Sequence, residues 1–415
     1  VHAERALRLA AAGAAQAAEA AAREALRANP LPEDQARARE IVEARPARRA
    51  AIAAILPLRG PLAAYGEHLS QGIRLALDEY ARTTGDTVEL VLLDETDPDA
   101  LTPQRLGALA RDGVLGVVGP LTPDALRQAA AARELPDLVL VSPTAPDAEA
   151  LGRHVYSLQL AGDDLDALAR ALARFGVAEM GARRIAIVFP ADSLGYRQAL
   201  AFADEARRHG ADVIATEAYP RDATTYQHPL AHVNSLDPEA LYAVTPDPRT
   251  VLQLAPQIAY YGLRGIQIFG DPNWADPETI RRLDPRFTNG AVAATYLGPW
   301  QGEPAHERFQ DLYEATYRKA LGGNLLPGLG YDAASLILRA MPPREYRHPA
   351  VLSRALSELS PFEGATGVLE VEGDRVRRRP FLVEIWNRRI VPAVPRPISR
   401  PATTEGPTRP GGGRP

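Results

Sequence analysis

The stretch Arg49–Glu79 constrains the fold of this chain more than any other part of its sequence. It begins with a run of small apolar residues, Ala50–Leu58, which predicts a buried parallel strand. A loop rich in proline and glycine follows, and then a helix with apolar residues spaced for one buried face at Leu69, Ile73, Leu77 and Tyr80. A strand that passes through a short loop into a helix is the building unit of doubly wound α/β sheets, which hold ligands at that edge.

The same strand–loop–helix pattern recurs down the chain. Four strand-like runs come first, at 50–58, 88–94, 114–120 and 138–144. Four more follow at 184–190, 212–219, 240–246 and 267–271, and another at Ala291–Leu297. Near the end, Val368–Glu372 and Pro380–Trp386 predict a hairpin. We therefore expect an α/β protein with two Rossmann-like lobes, each a parallel sheet with helices on both faces. The predicted lobes are residues 48–162 with 300–360, and residues 163–299 with 361–392.

The two ends of the chain have a different composition. Residues 1–47 predict a short α-helical segment, because residues 14–28 are nearly all strong helix formers between Gly13 and Pro30. This segment resembles the second half of a tetratricopeptide repeat, which would make it the end of a longer helical domain. An Ala-rich amphipathic helix that packs on the main body fits the same residues. Residues 393–415 are rich in Pro, Gly, Arg and Thr and predict a disordered tail.

Composition excludes several classes of function. The formal net charge of −5 gives no electrostatic reason to expect nucleic-acid binding. The absence of cysteine rules out disulfides, thiolate nucleophiles and cysteine-ligated metals. No apolar run approaches the roughly 18 residues of a membrane span. The chain begins at Val1, and we expect any signal peptide or lipid anchor to lie upstream.

Polar residues concentrate in the loops that follow the predicted strands. Each loop combines Pro or Gly with Ser, Thr, Asp or Asn directly before a helix. Residues of these types are ordinary helix caps and turn formers, so capping alone explains any single loop. Taken together, loops at one edge of two sheets favour a binding cleft. The loops are 58–66, 119–124, 142–147, 190–196, 245–249 and 270–274.

Catalytic and metal motifs are missing. There is no G-x-S-x-G elbow, no H-E-x-x-H pair and no Walker A loop. His228 and His232 are four residues apart, but Pro229 between them spoils a helical metal pair. The acidic residues after the second strand lack the downstream glutamate of a calcium loop, and we interpret Asp97 and Pro98 as a helix start. The sequence therefore predicts neither an enzyme nor a cofactor or metal site.

Several segments resemble the type I periplasmic binding proteins, in particular their Leu/Ile/Val receptor group. The order and spacing of these segments carry the resemblance, which covers about residues 48–392. It implies two lobes joined by three crossovers, with a ligand held between them by hinge closure. The segments are ILPLRGPLAAYGEHLSQGIRLALDE, DETDP, VLGVVGPLTPD, VLVSPTAPDAEAL, RRIAIVFPADSLGYRQAL, GYDAASLILRA and TGVLEVEGDRVRR.

The resemblance also implies a set of binding residues. In this family, backbone amides and hydroxyls of the third and fourth loops hold an amino-acid carboxylate, and an aromatic and an acidic residue come from the second lobe. The aromatic position is Leu194 here, and Pro123 removes a donor from the third loop, so amino-acid specificity is weakened. The expected ligand is small, polar and amino-acid-like, with Tyr65 as a stacking wall. The predicted site is Tyr65, Gly66, Thr122, Asp124, Ser142, Thr144, Ala145, Asp192, Leu194, Thr245, Asp271, Asn273 and Trp274.

Two functions remain open at this point. The first is a solute receptor that delivers its ligand to a membrane permease complex. The second follows from a resemblance to the penicillin-binding-protein activator lipoproteins, in which a tetratricopeptide-type domain precedes the same fold. Those proteins stimulate a cell-wall synthase by contact. Either function implies a location in the periplasm or on the outer face of the cell envelope.

Overall fold

The computed structural model of the protein describes residues 2–11, 15–28, 32–43, 50–132, 138–145, 152–158, 164–296, 303–344, 347–373 and 375–398. The chain forms two compact units. Unit 1 contains Val1–Ala161 and Trp300–Arg379, and unit 2 contains Gly162–Pro299 and Pro380–Pro415. The chain therefore passes between the units three times.

Unit 1 contains three N-terminal helices, a sheet with its flanking helices, and a small second sheet. Its elements are α1 (His2–Ala11), α2 (Ala15–Arg27), α3 (Pro32–Glu43), β1 (Ala50–Leu56), α4 (Ala63–Thr84), β2 (Val88–Asp94), α5 (Pro103–Arg111), β3 (Val114–Val118), α6 (Pro123–Ala132), β4 (Val139–Ser142), β5 (Val155–Ser157), α12 (Pro304–Tyr317), α13 (Leu326–Arg339), α14 (Pro349–Ser357), β11 (Phe362–Gly364), β12 (Gly367–Glu372) and β13 (Arg375–Arg378).

The main sheet of unit 1 is fully parallel, in the order β2-β1-β3-β4-β5. Successive side chains of β1 face opposite sides, as the period of a strand requires. Ile52 packs among residues of α4 and α13, whereas Ile55 packs among residues of α5 and α6. Leu69 and Ile73, two of the residues that predicted the buried face of α4, are fully buried. Helices thus cover both faces of the sheet, which confirms the predicted fold class for this unit.

Unit 2 contains a mixed sheet and its helices. Its elements are α7 (Asp164–Arg174), a π-helical turn (Phe175–Glu179), β6 (Arg184–Pro190), α8 (Ser193–Arg208), β7 (Asp212–Tyr219), α9 (Gln227–Ser235), β8 (Ala240–Ala243), α10 (Pro248–Tyr260), β9 (Gln267–Gly270), a 3-10 helix (Pro272–Ala275), α11 (Pro277–Arg282), a 3-10 turn (Pro285–Phe287), β10 (Val292–Thr295), β14 (Phe381–Trp386) and β15 (Arg389–Pro392).

The sheet of unit 2 has the order β15-β14-β10-β9-β8-β6-β7. The strands from β6 to β10 are parallel, and β14 and β15 extend the sheet with antiparallel pairing. Both faces are covered here as well. Leu241 of β8 packs with α9 and α10, and its neighbour Tyr242 stacks on Phe202 of α8 with ring centroids 4.1 Å apart.

Residues 361–379 belong to unit 1, and their predicted assignment to the second lobe is wrong. Asp332 of α13 is fully buried and accepts hydrogen bonds from the backbone amides of Ala365 (2.6 Å) and Thr366 (2.9 Å). Arg378 donates to the carbonyl oxygen of Thr366 (2.5 Å) and lies beside the same buried carboxylate. These bonds hold the small sheet on α13. Their partners are more than 30 residues apart in the sequence, so a local sequence pattern could not predict them.

The predicted hairpin of 368–372 with 380–386 is also wrong. β12 pairs instead with β13, and the turn between them contains Gly373. Residues 381–386 form β14, which pairs with β10 and β15 in unit 2. The predicted helix start at Asp97 and Pro98 is likewise wrong, because α5 begins at Pro103 with Thr102 as its cap.

The N-terminal helices pack on one another and on α14. Their small core consists mainly of alanines, and Ala350 and Val351 of α14 complete it. Arg354 of α14 forms an ion pair with Glu4 of α1. This is the packing on the main body that the second interpretation of residues 1–47 expects, and it places the three helices in unit 1.

The first residues of the predicted disordered tail are held on unit 2, so the prediction is wrong for residues 393–398. The amide of Ala393 donates to Leu382 (2.9 Å) and the amide of Ile398 donates to Met180 (2.9 Å). Arg396 lies 3.2 Å from the buried carboxylate of Glu384. Residues 399–415 lie outside the described part of the chain.

Candidate functional site

The loops after β1 and β3 lie at the switch point of the unit 1 sheet. These two strands are neighbours, and the helices that follow them, α4 and α6, cover opposite faces. Such a point leaves a crevice at the carboxyl edge of the sheet, where α/β proteins bind their ligands. Most of the predicted unit 1 residues come from these loops and from the loop after β4.

Asp94, the last residue of β2, holds the loop after β1. Its carboxylate accepts hydrogen bonds from the amide of Leu58 (3.0 Å) and from Nε of Arg59 (2.6 Å), as well as from the amide (3.0 Å) and hydroxyl (2.9 Å) of Thr96. Burial raises the pKa of Asp94, but these hydrogen bonds outweigh burial and hold the pKa well below its usual range. The carboxylate therefore stays ionised and fixes the start of the crevice.

Glu95, the next residue, holds the loop after β3. Its carboxylate accepts hydrogen bonds from the amides of Leu121 (2.7 Å) and Thr122 (3.0 Å) and from the hydroxyl of Thr122 (2.6 Å). These amides lie at the start of α6, where the helix dipole favours negative charge. The anion at this position is thus a side chain of the protein itself. Thr122, predicted to hold a ligand, instead bonds Glu95.

The hydroxyl groups after β4 are also bonded to the protein. Ser142 is fully buried; its hydroxyl donates to the carbonyl oxygen of Pro120 (2.6 Å) and accepts from the amide of Ala145 (3.0 Å). Thr144 donates to the carbonyl oxygen of Leu121 (2.8 Å). Ser142 and Thr144 therefore tie the loop after β4 to the loop after β3, and Ala145 bonds Ser142 within the loop after β4.

The remaining predicted residues of unit 1 differ in exposure. The side chain of Asp124 is 89% exposed and forms an ion pair with Arg127. Tyr65 is 48% exposed in the first turn of α4. Gly66 is buried against the end of β1, where a methyl group would overlap the carbonyl oxygen of Pro57. Gly66 is thus required for the close packing of α4, while Tyr65 presents its ring to solvent.

Unit 2 has a small cavity at the carboxyl ends of its strands. The cavity has a volume of about 170 Å³ and contains five of the predicted residues. It is the place in unit 2 where the loops after β6, β8 and β9 converge. The predicted residues that line it are Asp192, Leu194, Thr245, Asp271 and Asn273.

Asp192 caps α8 and carries the ionic contact of this cavity. One carboxylate oxygen accepts from the amide of Gly195 (2.8 Å), and the other lies 2.5 Å from Nη1 of Arg221. Arg221 follows β7 and is largely exposed. Sequence analysis missed Arg221, because a single arginine in a surface loop carries no pattern. The pair gives the cavity an adjacent anion and cation.

Asp271 is the buried acid of unit 2. It is 3% exposed and accepts from the amide (2.7 Å) and hydroxyl (2.9 Å) of Thr245, and from the amide (3.2 Å) and side-chain nitrogen (3.2 Å) of Asn273. Burial raises the pKa of Asp271 to about 7, and these hydrogen bonds counteract burial only in part. No arginine, lysine or histidine of the described residues pairs with it. Near neutral pH the group is therefore poised between its acid and its carboxylate.

Leu194 and Trp274 have opposite surroundings. Leu194 is 38% exposed at the rim of the cavity, and Tyr196 beside it on α8 is 57% exposed. Trp274 is fully buried in the core, with its indole nitrogen donating to Ala243 (3.0 Å) and its ring against Gly270. Trp274 was predicted to bind ligand, and it packs the core instead.

Among the described residues, no three acidic or histidine side chains lie close enough together to hold a metal ion. None of the helices described is both long and apolar enough to span a bilayer. Glu95 is the most informative residue that sequence analysis missed. Its only signal was its place in the acidic run after β2.

Comparison with known proteins identifies relatives of this chain. The periplasmic binding protein family profile matches residues 50–380. The Leu/Ile/Val-binding protein BraC3 of Rhizobium johnstonii is 29% identical over 171 residues. That match covers 40% of this chain and 46% of BraC3, so the chain spans about half the length of this curated relative.

Solved structures share the fold at low identity. A structure from Rhodospirillum rubrum, assigned to a branched-chain amino acid ABC transporter, has a TM-score of 0.68 and 19% identity, and covers 83% of this chain and 100% of its own. An ABC transporter substrate-binding protein from Desulfitobacterium hafniense in complex with Leu has a TM-score of 0.53 and 20% identity, with the same coverage. With the family match over four-fifths of the sequence, these findings establish that the chain belongs to the type I periplasmic binding protein family.

Proposed function

We propose that this protein is the extracytoplasmic solute receptor of a transport system, and that it binds a small polar ligand at the strand-end loops of unit 2. The observation that carries the proposal is the cavity of unit 2, at the carboxyl ends of the parallel strands, where five predicted residues converge: Asp192, Leu194, Thr245, Asp271 and Asn273. Family membership supports it, as does the leucine bound to a relative of the same fold. A change of conformation on ligand binding would be the signal that a permease complex detects.

The residues we assign to the ligand come first from unit 2. Asp192 and Arg221 supply opposite charges in partial contact with solvent, and Leu194 supplies an apolar wall. Thr245 and Asn273 hold Asp271, so we assign them to shaping the cavity. An amino-acid-like ligand has one group of each charge and fits the Asp192–Arg221 pair better than a simple anion or cation does.

In unit 1 we assign ligand contact to Tyr65. The hydroxyl groups of Thr122, Ser142 and Thr144 position the loops. Ser142 and Thr144 already bond backbone carbonyl groups, and Thr122 already bonds Glu95. A ligand that took over these bonds would leave carbonyl groups or a carboxylate without partners, at about 1–3 kcal/mol for each buried group. We therefore propose that these three side chains set the shape of the loops and leave binding to their neighbours.

A second candidate function is supported by the hydrogen bonds between Glu95 and the loop amides of unit 1. If its loop amides are permanently occupied by Glu95, the fold can also serve as a docking surface. In that case the protein would be a regulatory lipoprotein of the envelope that activates a penicillin-binding protein by contact. The three N-terminal helices on α14 would then be part of the contact surface.

Thermal shift against amino acids and small organic anions and zwitterions distinguishes the two functions. A ligand present at a hundred times its Kd stabilises a protein by about 2.7 kcal/mol, which is readily seen in a melting curve. For the receptor, we expect at least one compound to raise Tm, and Asp192→Ala to abolish that rise. Asp124→Ala is the matched control, since Asp124 also lies at a helix start but is exposed. Unchanged melting curves across the panel would contradict the receptor and favour the second function.

A further inference from the structure

Unit 1 contains a second cavity, away from the strand ends. It lies beside the C-terminal half of α4 and is bounded by α12, α13 and the end of β11. Its volume is about 460 Å³, within the range of roughly 300–1,000 Å³ that small-molecule sites occupy. The residues that matter for its chemistry are Glu79, Tyr80, Phe309, Tyr331, Ser335 and Leu338.

Glu79 brings a negative charge to this cavity. The hydroxyl of Tyr331 donates to one of its carboxylate oxygens, and no arginine, lysine or histidine among the described residues pairs with it. Burial raises the pKa of Tyr331 and the neighbouring Glu79 raises it further, so the phenol keeps its proton and its role as donor. A half-buried carboxylate with one neutral donor still gains from a cation, because desolvation makes an unpaired charge costly.

Ser335 brings an unused polar group to the same space. It is only 8% exposed, it lines the cavity, and its hydroxyl has no hydrogen-bond partner among the described residues. The hydroxyl oxygen is open to the cavity and not sealed inside the protein, so a ligand in the cavity can reach it. A ligand with an N–H group would satisfy this oxygen.

Aromatic side chains line the same cavity as these two polar groups. The rings of Phe309 and Tyr331 lie 5.0 Å apart at 54°, and Tyr80 lines the cavity beside them. Ring faces attract organic cations by about 0.5–2 kcal/mol each, with the larger values where water is excluded. A carboxylate among three rings therefore selects for an ammonium group that carries an apolar body.

The two arginines that line the cavity do not reverse this preference. The side chain of Arg308 is 67% exposed and lies 4.0 Å from Glu363. Arg339 is exposed, with its guanidinium stacked 4.5 Å above the ring of Phe362. Water screens exposed charges of this kind far more than it screens Glu79.

We propose that the cavity between α4, α12 and α13 is a second ligand site that binds small organic ammonium ions. The ammonium group pairs with Glu79 and donates to Ser335, and the apolar body packs on Phe309, Tyr331 and Leu338. This site belongs to unit 1 alone and is independent of the solute site proposed above.

Isothermal titration of the full chain with 2-phenylethylammonium chloride tests the proposal. We expect saturable one-to-one binding, weakened by about tenfold or more in Glu79→Gln, which removes the charge but keeps an acceptor for Tyr331. Ser335→Ala should weaken binding by a smaller factor of about five. Glu67→Gln, an exposed change on the same helix, and Asp192→Ala in unit 2 should both leave the affinity unchanged.

Two related compounds identify the charge that is recognised. The anion 3-phenylpropanoate and the neutral 3-phenyl-1-propanol carry the same ring, and both should bind at least about tenfold more weakly than the amine. Absence of heat with the amine would overturn the proposal, as would equal affinity in Glu79→Gln. Tighter binding of 3-phenylpropanoate would overturn the assignment to cations. Loss of binding in Asp192→Ala would show that the amine occupies the solute site instead.

Discussion

Replacement of Glu95 tests whether this carboxylate is what holds the loop after β3. In Glu95→Ala, the amides of Leu121 and Thr122 and the hydroxyl of Thr122 lose a charged acceptor at 2.6–3.0 Å. Each hydrogen bond to a charged group contributes about 1.5–3 kcal/mol when buried. Glu95 is half-buried and water can replace part of this contact, so we expect a net loss of about 2–4 kcal/mol in the free energy of unfolding.

The freed amides should then bind an added carboxylate. If acetate binds the variant with a Kd of about 30 mM, then 300 mM acetate restores about 1.4 kcal/mol. The measurement is urea unfolding of the wild type and of Glu95→Ala, each in 300 mM sodium acetate and in 300 mM sodium chloride. Glu89→Ala, which removes an exposed glutamate of the same strand β2, is the matched control and should show neither effect.

Three results would refute this account of Glu95. A loss below about 0.5 kcal/mol would mean that water satisfies the loop amides as well as the carboxylate does. Equal stabilisation of wild type and variant by acetate would mean that acetate acts elsewhere. A variant that loses stability but gains nothing from acetate would refute the expectation that the freed amides keep their positions, because it would mean that the loop collapses without Glu95.

Three further predictions concern buried groups. The folded-state pKa of Asp271 is raised from 3.8 to about 7, so its contribution to the free energy of unfolding should fall by about 4 kcal/mol as pH rises from about 4 to about 7, at 1.36 kcal/mol per pKa unit. Urea unfolding of the wild type and of Asp271→Asn across pH 4–8 should therefore give a stability difference that changes with pH. A constant difference would contradict this prediction. Asp332→Ala should lower the free energy of unfolding by about 3–5 kcal/mol, because it removes the carboxylate from a fully buried network. Arg379→Ala, at an exposed ion pair, should lower it by about 1 kcal/mol or less. Similar losses for the two variants in urea unfolding would refute the prediction. Gly66→Ala should lower the free energy of unfolding by about 2 kcal/mol or more. Gly323→Ala, where a methyl group meets open space, should change it by less than about 0.5 kcal/mol. Equal thermal stability of the two variants would show that α4 does not need its close approach to the Pro57 carbonyl group.

The layered fold could be predicted from sequence because its signals are local. Strand runs such as 88–94 and 184–190 match the strands of the structure residue for residue. Some predicted strands were longer than the observed ones, because the predicted run included the first residues of a loop. The run 114–120, for example, is a strand only as far as Val118. β5 is only three residues long and was missed, because so short a run has no periodicity.

The contacts of the site could not be predicted, because they join distant residues. The partners of Glu95 are 26 and 27 residues further along the chain, and those of Asp332 are 33 and 34 residues away. Loop composition placed Thr122 and Ser142 at the correct edge of the sheet. It could not reveal that a neighbouring strand brings a carboxylate to the same amides. Whether a hydroxyl faces a ligand or the protein depends on such long-range partners.

The two sheets use acidic residues in different ways, and this difference bears on the ligand. In unit 1, the carboxylates of Asp94 and Glu95 accept hydrogen bonds from the loops, and the edge of that sheet exposes Leu58, Leu62 and Tyr65 beside the charged side chains of Arg59 and Asp124. In unit 2, Asp271 is buried without a cation, and the Asp192–Arg221 pair is the charge that remains partly open to solvent. We therefore expect recognition in unit 2 to rest on polar contact with this pair. For the receptor proposed above, a ligand with one group of each charge fits the Asp192–Arg221 pair, whereas a doubly charged anion would place a second negative charge beside Asp192.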